Sequence, residues 1–317
     1  MKRLTAGQGA ALLMALTACS AAAQRQPARE GHVTTPDTVR LWYRVVGAGP
    51  ETVIAPAALY HRHTLDRIAH GRRLVLYDPR GRGASDTVPP SKASLEHEFR
   101  DLETIRRAAG AESFALIGWS ALGLEAFGYA ARYPGRVTRL IMLAPLAPRR
   151  NPYWDQLVAR RRTRVDSAAQ ARLADRVAAG EFKDREADHC RALAHLGDPA
   201  AFGDPAMAHL APDVCDSPNE WPARYARHAG AMLGSYGDYD WRPDFGKVTI
   251  PQLVIHGDRD NFPLHGSREW VAGRPNARLL VFPGAGHWLQ YERPDRLVEA
   301  IDQFLRGRWP TGSQEIR

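Results

Sequence analysis

Short apolar runs alternate with helix-like segments along the chain from residue 32 onward. Apolar runs bounded by turn residues predict strands over residues 39–46, 52–55, 73–77, 114–117 and 137–143. After Ser94, apolar residues recur at helical spacing (Leu95, Phe99, Leu102 and Ile105), which predicts a helix with Ser94 as its N-cap. Strands that alternate with helices in this way indicate a mostly parallel sheet covered by helices on both faces.

A long helix-like segment interrupts the alternation. Residues 146–245 are rich in Arg, Ala and Asp, and strands resume over residues 251–255 and 278–282. We therefore predict a core formed by residues 32–145 and 246–317, with residues 146–245 inserted between two strands as a helical lid. Ligands bind at the carboxyl ends of the strands in such sheets, so candidate site residues are sought in the loops that follow strands.

The N-terminus has the pattern of an export signal. Lys2 and Arg3 precede an apolar run over residues 10–16 that is too short to span a bilayer as a mature helix. The run ends in LTAC, which resembles the lipobox of bacterial lipoproteins. This resemblance implies a signal peptide over residues 1–18, a lipidated Cys19 and a flexible tether over residues 19–31. The protein would then be exported and anchored at the outer membrane, facing the periplasm. The alternative is a secretory signal cleaved among residues 21–23.

Cysteine usage fits an oxidising compartment. Of the three cysteines, Cys190 and Cys215 remain if Cys19 is lipidated, and an even pair in an exported protein favours a disulfide. Two unpaired buried thiols are the alternative, because the sequence alone cannot place their Cα atoms within bonding range. No metal-ligand spacing surrounds either cysteine, and no metal is expected.

Composition and charge are those of an ordinary globular protein. The chain is 44% hydrophobic and 25% charged, with a net charge of +8. Its densest basic cluster, formed by residues 160–162 and Arg164, has no interleaved aromatic residues and is flanked by Asp155 and Asp166. We interpret this cluster as the solvated face of a helix and expect no nucleic-acid partner.

The segment GWSALG, residues 118–123, follows a predicted strand and precedes a helix-like stretch. A serine on a sharp strand-to-helix turn is the arrangement of a nucleophile elbow, which makes Ser120 a candidate nucleophile. Gly118 supplies the small side chain that such a turn needs. Leu122 departs from the G-x-S-x-G pattern, and a helix-capping serine is the alternative interpretation.

An acid and a histidine follow the last two predicted strands. HGDRD ends in Asp260, and GAGH ends in His287. A serine hydroxyl needs a hydrogen-bonded histidine to take its proton, and the histidine needs a carboxylate to hold its tautomer. The order Ser120, Asp260, His287 is that of one known architecture.

These motifs together resemble the α/β-hydrolase superfamily over residues 32 to 307. The segment DPRGRGAS, residues 78–85, is similar to a turn of the proline iminopeptidase-like branch. The resemblance implies a mostly parallel twisted sheet flanked by helices, with a helical lid between strands. It also implies a serine hydrolase without a cofactor, in which Asp260 is the acid and Asp258 is a turn residue.

Acyl transfer needs two backbone amides that stabilise an oxyanion. The resemblance implies that one belongs to Ala121. The second lies in the loop after residues 52–55, where Ala58 aligns best and Ala57 and Leu59 are neighbouring alternatives. This loop lacks the glycines of iminopeptidases. We therefore expect an enzyme that hydrolyses a carboxylic ester. The second alternative is an iminopeptidase-like enzyme that acts on a short peptide, and the third is an inactive binding protein on the same fold.

Other polar residues of these segments are given no catalytic role. We interpret His61, His63 and His256 as structural or solvated, because they lie nearer to other loops. The acidic residues of the lid are interpreted as a solvated surface with none directed at Ser120; they include Glu181, Asp184, Glu186, Asp188, Asp216 and Glu220.

Overall fold

The structure is a computed structural model that describes residues 28–317. Eight strands form one sheet in the order β1-β2-β4-β3-β5-β6-β7-β8. The strands are β1 Arg29–Thr34, β2 Arg40–Val46, β3 Thr52–Pro56, β4 Arg73–Tyr77, β5 Phe114–Trp119, β6 Val137–Leu143, β7 Gln252–Gly257 and β8 Ala277–Phe282. Pairs β1–β2 and β2–β4 are antiparallel and all other pairs are parallel.

Helices cover both faces of the sheet. They are α1 Ala58–Leu65, α2 Leu95–Ala108, α3 Ala121–Arg132, α4 Tyr153–Arg164, α5 Ser167–Ala178, α6 Glu186–Ala201, α7 Pro222–Tyr236, α8 Leu264–Glu269, α9 Leu289–Glu292 and α10 Pro294–Leu305. Successive residues of the central strands enter opposite cores: Ile54 and Leu116 pack in one apolar cluster, Val53 and Ile117 in the other. Burial on both faces explains why these strands are continuous apolar runs.

Helices α4–α7, which we call the helical insertion, connect β6 to its neighbour β7. The predicted fold class, a mostly parallel sheet flanked by helices with a helical segment between two strands, is confirmed. Within the insertion, Cys190 on α6 and Cys215 before α7 are joined in a disulfide with their Cα atoms 5.6 Å apart. The disulfide links two parts of the insertion that are 25 residues apart in sequence.

The predicted tether extends too far along the chain. Residues 29–31 belong to β1, which pairs with β2 at the edge of the sheet. This strand alternates exposed and half-buried residues, and its polar sequence REGHVT gives no apolar run to detect. The predicted signal peptide and Cys19 lie outside the described residues. Between residues 28 and 317, no helix combines the length and apolar character needed to cross a bilayer.

Ser94 precedes α2 as predicted, but its side chain does not cap the helix. Its Oγ lies 2.8 Å from Nδ1 of His97. Helix α2 therefore begins at the predicted residue, but the Ser94 side chain contacts the His97 ring instead of a backbone amide of the first turn.

Candidate active site

Ser120 occupies a sharp turn between β5 and α3. Its backbone angles, φ 60° and ψ −128°, fall in a region that non-glycine residues rarely adopt. Three backbone hydrogen bonds hold this conformation: the Ser120 amide donates to Leu143 (2.9 Å), and its carbonyl accepts from Gly123 (3.0 Å) and Leu146 (3.3 Å). The turn therefore holds the serine at the carboxyl end of a central strand.

Two glycines make room for this turn. A Cβ atom at Gly118 would lie 2.3 Å from the Leu122 carbonyl oxygen, and one at Gly123 would lie 2.9 Å from Cβ of Pro145. The crowded positions are thus 118 and 123, and the expectation of a small residue at position 122 is corrected. The Leu122 side chain instead lines a small cavity beside α3.

Ser120, His287 and Asp260 form a continuous chain of hydrogen bonds. Nε2 of His287 lies 3.0 Å from Oγ of Ser120, and Nδ1 lies 2.8 Å from Oδ2 of Asp260. An ionised carboxylate only accepts hydrogen bonds, so Nδ1 carries the proton and Nε2 is free to accept one from the serine. The structure brings together the three residues that the sequence singled out, from three separate strand ends.

The environment of Asp260 keeps this carboxylate ionised. The side chain is fully buried, and burial alone would raise its pKa. The His287 ring, together with the amide of Phe262 that donates to Oδ1 at 2.9 Å, outweighs burial and holds the pKa of Asp260 below its ordinary value. Asp258 instead accepts the Gly284 amide at 2.7 Å and so links the loops that carry the acid and the histidine.

His256 lies beside the acid, which corrects its assignment to another loop. Its Nε2 is 3.9 Å from Oδ2 of Asp260 and 3.0 Å from the Phe262 carbonyl, and its Nδ1 is 2.8 Å from Oγ of Ser267. Burial lowers the pKa of His256, which favours a neutral ring. The sequence signal for this proximity is that His256 and Asp260 belong to the same HGDRD motif.

Aromatic side chains enclose the His287 ring. Trp119 donates from Nε1 to the His287 carbonyl at 3.1 Å, and its ring lies 5.0 Å from the imidazole. Phe262 meets the imidazole edge-on at 4.5 Å. These contacts fix the ring orientation that the two hydrogen bonds of His287 require.

Two backbone amides are candidates for stabilising the oxyanion. One directly follows Ser120 in the chain, and the other lies in the loop after β3, the strand that pairs with β5. Ala121 and Ala58 are the first residues of α3 and α1, where amides have no acceptor within their own helix. Neither amide donates a hydrogen bond to any group of residues 28–317. The Leu59 amide, one alternative to Ala58, is already used because it donates to Oδ1 of Asp78 at 3.1 Å. Ala57, with φ 62°, turns the chain from β3 into α1.

The end of α6 supports the histidine loop directly. The His287 amide donates to the Ala201 carbonyl at 2.7 Å. Glu292 accepts the amides of Gly286 (2.8 Å) and Gly203 (2.9 Å), and so joins the histidine loop to the helical insertion. A Cβ atom at Gly203 would lie 2.3 Å from the Gly284 carbonyl oxygen, so the two segments are in close contact. No sequence pattern predicts this contact, because it depends on the packing of the insertion.

Glu220 is an exception among the acidic residues of the insertion. It is buried and pairs through both oxygens with Arg82, each at 2.9 Å. The Gly83 amide (3.0 Å) and the Tyr60 hydroxyl (3.1 Å) also donate to it. Burial would raise the pKa of Glu220, but Arg82 outweighs burial and lowers it. The expectation of a solvated acid is therefore wrong for Glu220, which ties the insertion to the turn after β4.

The basic cluster of α4 is solvated only in part. Nη1 of Arg160 donates to the Asp260 carbonyl at 3.3 Å, and Nη1 of Arg164 donates to the Arg259 carbonyl at 2.6 Å. Arg161 and Arg162 are exposed, as expected. Helix α4 thus contacts the backbone of the loop that carries Asp260.

Among the described residues, no group of three or more His, Cys, Asp or Glu side chains is arranged to hold a metal ion.

Comparisons with known proteins identify the family. The family model for the alpha/beta hydrolase fold matches residues 56–294. A 2-hydroxy-6-oxononadienedioate/2-hydroxy-6-oxononatrienedioate hydrolase of Dechloromonas aromatica is 26% identical over 84% of this chain and 91% of its own. A proline iminopeptidase of Saccharolobus solfataricus is 22% identical over 74% of this chain and 76% of its own. A thermophilic esterase structure from Thermogutta terrifontis has a TM-score of 0.65 at 23% identity, covering 88% of this chain and 98% of its own. Since the family model spans well over half of the chain, the protein belongs to the α/β-hydrolase fold family and is an enzyme of that family.

Proposed function

We propose that the protein is a serine hydrolase that cleaves carboxylic esters through an acyl-enzyme intermediate. The observation that carries this proposal is the hydrogen-bonded chain from Oγ of Ser120 through His287 to Oδ2 of Asp260. It also argues against an inactive binding protein, which would have no need of a serine held against an imidazole whose other nitrogen bonds a buried carboxylate.

The geometry assigns a role to each group. Nε2 of His287 takes the Ser120 proton as Oγ attacks the ester carbonyl, and Asp260 stabilises the imidazolium. The amides of Ala121 and Ala58 donate to the oxyanion of the tetrahedral intermediate. The alcohol then leaves with the proton from Nε2. Water, deprotonated by the same nitrogen, attacks the acyl-enzyme and releases the carboxylic acid and free Ser120.

The surroundings of Ser120 favour an ester over the substrate named for the Dechloromonas aromatica relative. That name denotes a dicarboxylate. The guanidinium group of Arg82 lies 5.7 Å from the centre of the Tyr60 ring, which packs against Trp119 next to Ser120. It already pairs with Glu220, so it is not free to bind a substrate carboxylate. A proline iminopeptidase-like reaction is the second candidate, supported by the Saccharolobus solfataricus relative. The loop Pro56-Ala57-Ala58, which lacks iminopeptidase-like glycines, favours the ester.

Substrate comparison tests this proposal. We expect kcat/KM for p-nitrophenyl butyrate to exceed that for proline p-nitroanilide on the same preparation. Ser120→Ala should lower kcat by several orders of magnitude and abolish labelling by a fluorophosphonate, while Ser167→Ala, an exposed serine at the start of α5, should change neither. A higher kcat/KM for the anilide would favour the peptidase, and undiminished labelling of Ser120→Ala would place the nucleophile elsewhere.

We also propose that the protein is exported and anchored through a lipid on Cys19. The LTAC segment and the disulfide between Cys190 and Cys215 support this proposal, because disulfides persist mainly in oxidising compartments. Cys19→Ser should shift the protein out of the detergent-requiring membrane fraction, since lipid attachment needs the thiol. A wild-type protein that is soluble in the periplasm with its N-terminus at residue 24 or later would contradict the anchor.

A further inference from the structure

Phe262 contacts both the proposed base and its acid. Its amide donates to Oδ1 of Asp260 at 2.9 Å, and its ring meets the His287 imidazole edge-on with the ring centres 4.5 Å apart. Oδ2, the other oxygen of Asp260, is 2.8 Å from Nδ1 of His287. A shift of Phe262 would therefore displace the acid and the imidazole together. The position of this residue matters for catalysis although it carries no reactive group.

Regular secondary structure does not fix Phe262. The residue lies between the end of β7 at Gly257 and the start of α8 at Leu264. Pro263 follows it, so the peptide group between the two residues has no N–H and can form hydrogen bonds only through the Phe262 carbonyl. This carbonyl accepts from Nε2 of His256 at 3.0 Å. The contact ties the loop that carries the acid back to strand β7, to which His256 belongs.

The two hydrogen bonds of His256 have a defined direction. A carbonyl oxygen can only accept, so Nε2 carries the proton. The ring is fully buried, and burial lowers its pKa, which favours the neutral form with a single N–H. Nδ1 is then an acceptor, and the Ser267 hydroxyl of α8, 2.8 Å away, donates to it. Ser267 is also buried, so this hydroxyl holds the ring in the tautomer that donates to Phe262.

We propose that His256 is a positioning residue that acts on the acid and the base through Phe262. This inference rests on the proposed ester hydrolysis at Ser120. Nε2 of His256 lies 3.9 Å from Oδ2 of Asp260, which is beyond hydrogen-bond distance, so the contact with the Phe262 carbonyl carries the effect. Loss of this contact should lower kcat more than it changes KM, because the alignment of the imidazole matters for proton transfer rather than for substrate binding.

Two amide substitutions separate the two nitrogens of His256. The amide nitrogen of a glutamine can reach the place of Nε2 and donate to the Phe262 carbonyl, whereas the shorter asparagine reaches only the place of Nδ1, beside Ser267. We expect His256→Asn to lower kcat for p-nitrophenyl butyrate by about tenfold or more, the effect of an unpaired carbonyl, and to change KM by less than about twofold. His256→Gln should retain most of the wild-type kcat.

The matched control is His265→Asn, which replaces an exposed histidine of α8 and should change neither kcat nor KM. Equal kcat values for His256→Asn and His256→Gln would overturn the positioning role, since the donor at the place of Nε2 would then be without effect.

A spectroscopic measurement removes the dependence on catalysis. The Nδ1 proton of His287 lies in the hydrogen bond to Asp260, and such a proton resonates far downfield in the proton NMR spectrum. The resonance should keep its position in His256→Gln and should move upfield or broaden in His256→Asn. An identical resonance in His256→Asn would contradict the proposal. If the wild type hydrolyses no ester, the proposed function fails, and this resonance still decides the positioning role.

A smaller perturbation covers the case in which His256→Asn does not fold. Ser267→Ala deletes a single oxygen and leaves Nδ1 of His256 without its donor, so the ring is no longer held in one orientation. We expect the downfield resonance of His287 to broaden and kcat to fall by about twofold to tenfold, the effect of one hydrogen bond between neutral groups. An unchanged resonance together with an unchanged kcat would contradict the positioning role.

Discussion

Replacement of Glu292 by glutamine should lower kcat, because Glu292 positions the loop that carries His287. Glu292 accepts the Gly286 amide at 2.8 Å and the Gly203 amide at 2.9 Å. A glutamine can accept only one of these amides, and its own NH₂ group then faces the other donor. One hydrogen bond to a charged group is lost, which corresponds to about 1.5–3 kcal/mol. Because Gly286 directly precedes His287, we expect the imidazole to lose its fixed position against Ser120.

Urea unfolding and steady-state kinetics measure the two consequences. The free energy of unfolding should fall by about 2 kcal/mol, and kcat for p-nitrophenyl butyrate should fall by about tenfold or more, with a smaller change in KM. Glu299→Gln, an exposed glutamate of α10, is the matched control and should change neither quantity. A destabilised Glu292→Gln variant with unchanged kcat would refute the positioning role, since the contact would then serve stability alone.

Three further perturbations have defined outcomes. Thiol titration of the purified protein under denaturing, non-reducing conditions should detect neither Cys190 nor Cys215, and Cys190→Ser should lower the free energy of unfolding by about 2–4 kcal/mol; two free thiols would contradict the bond. Gly118→Ala should abolish activity in a folded protein, because its Cβ would lie 2.3 Å from the Leu122 carbonyl oxygen, and full activity would show that the turn tolerates a side chain. Burial lowers the pKa of His61 from 6.5 to about 4, so the unfolded state binds more protons between these values and stability should fall as the pH drops from about 6.5 to about 4. His61→Gln should flatten that slope in pH-dependent urea unfolding, and an equally steep slope would refute the assignment.

Most of the sheet could be predicted because its strands are buried on both faces. The predicted strands over residues 73–77 and 137–143 agree with β4 and β6 at both ends. A parallel strand between two layers of helices needs apolar residues on both sides, so its run is continuous and easy to detect. Edge strand β1 was missed for the opposite reason. One edge of it faces solvent, and its polar residues look like those of a tether.

The candidate site likewise contains some residues that could be predicted from the sequence and others that could not. Ser120, Asp260 and His287 could be predicted because each follows a strand, and carboxyl ends of parallel strands meet at one edge of the sheet. Glu220 and Glu292 could not, since the contacts of Glu220 with Arg82 and of Glu292 with Gly203 join residues more than 80 positions apart and depend on how the helical insertion packs. Leu122 departs from the G-x-S-x-G pattern in the sequence, but only the structure shows the cavity that this residue lines.

The acyl-enzyme itself is the most direct test of the central proposal. Rapid acid quenching during turnover of p-nitrophenyl butyrate, followed by peptide mapping by mass spectrometry, should find a butyryl group on Ser120. A His287→Ala variant, which lacks the base, should show little or no butyrylation on the same time scale. A butyryl group on another residue, or turnover that leaves Ser120 unmodified at every quench time, would contradict the account.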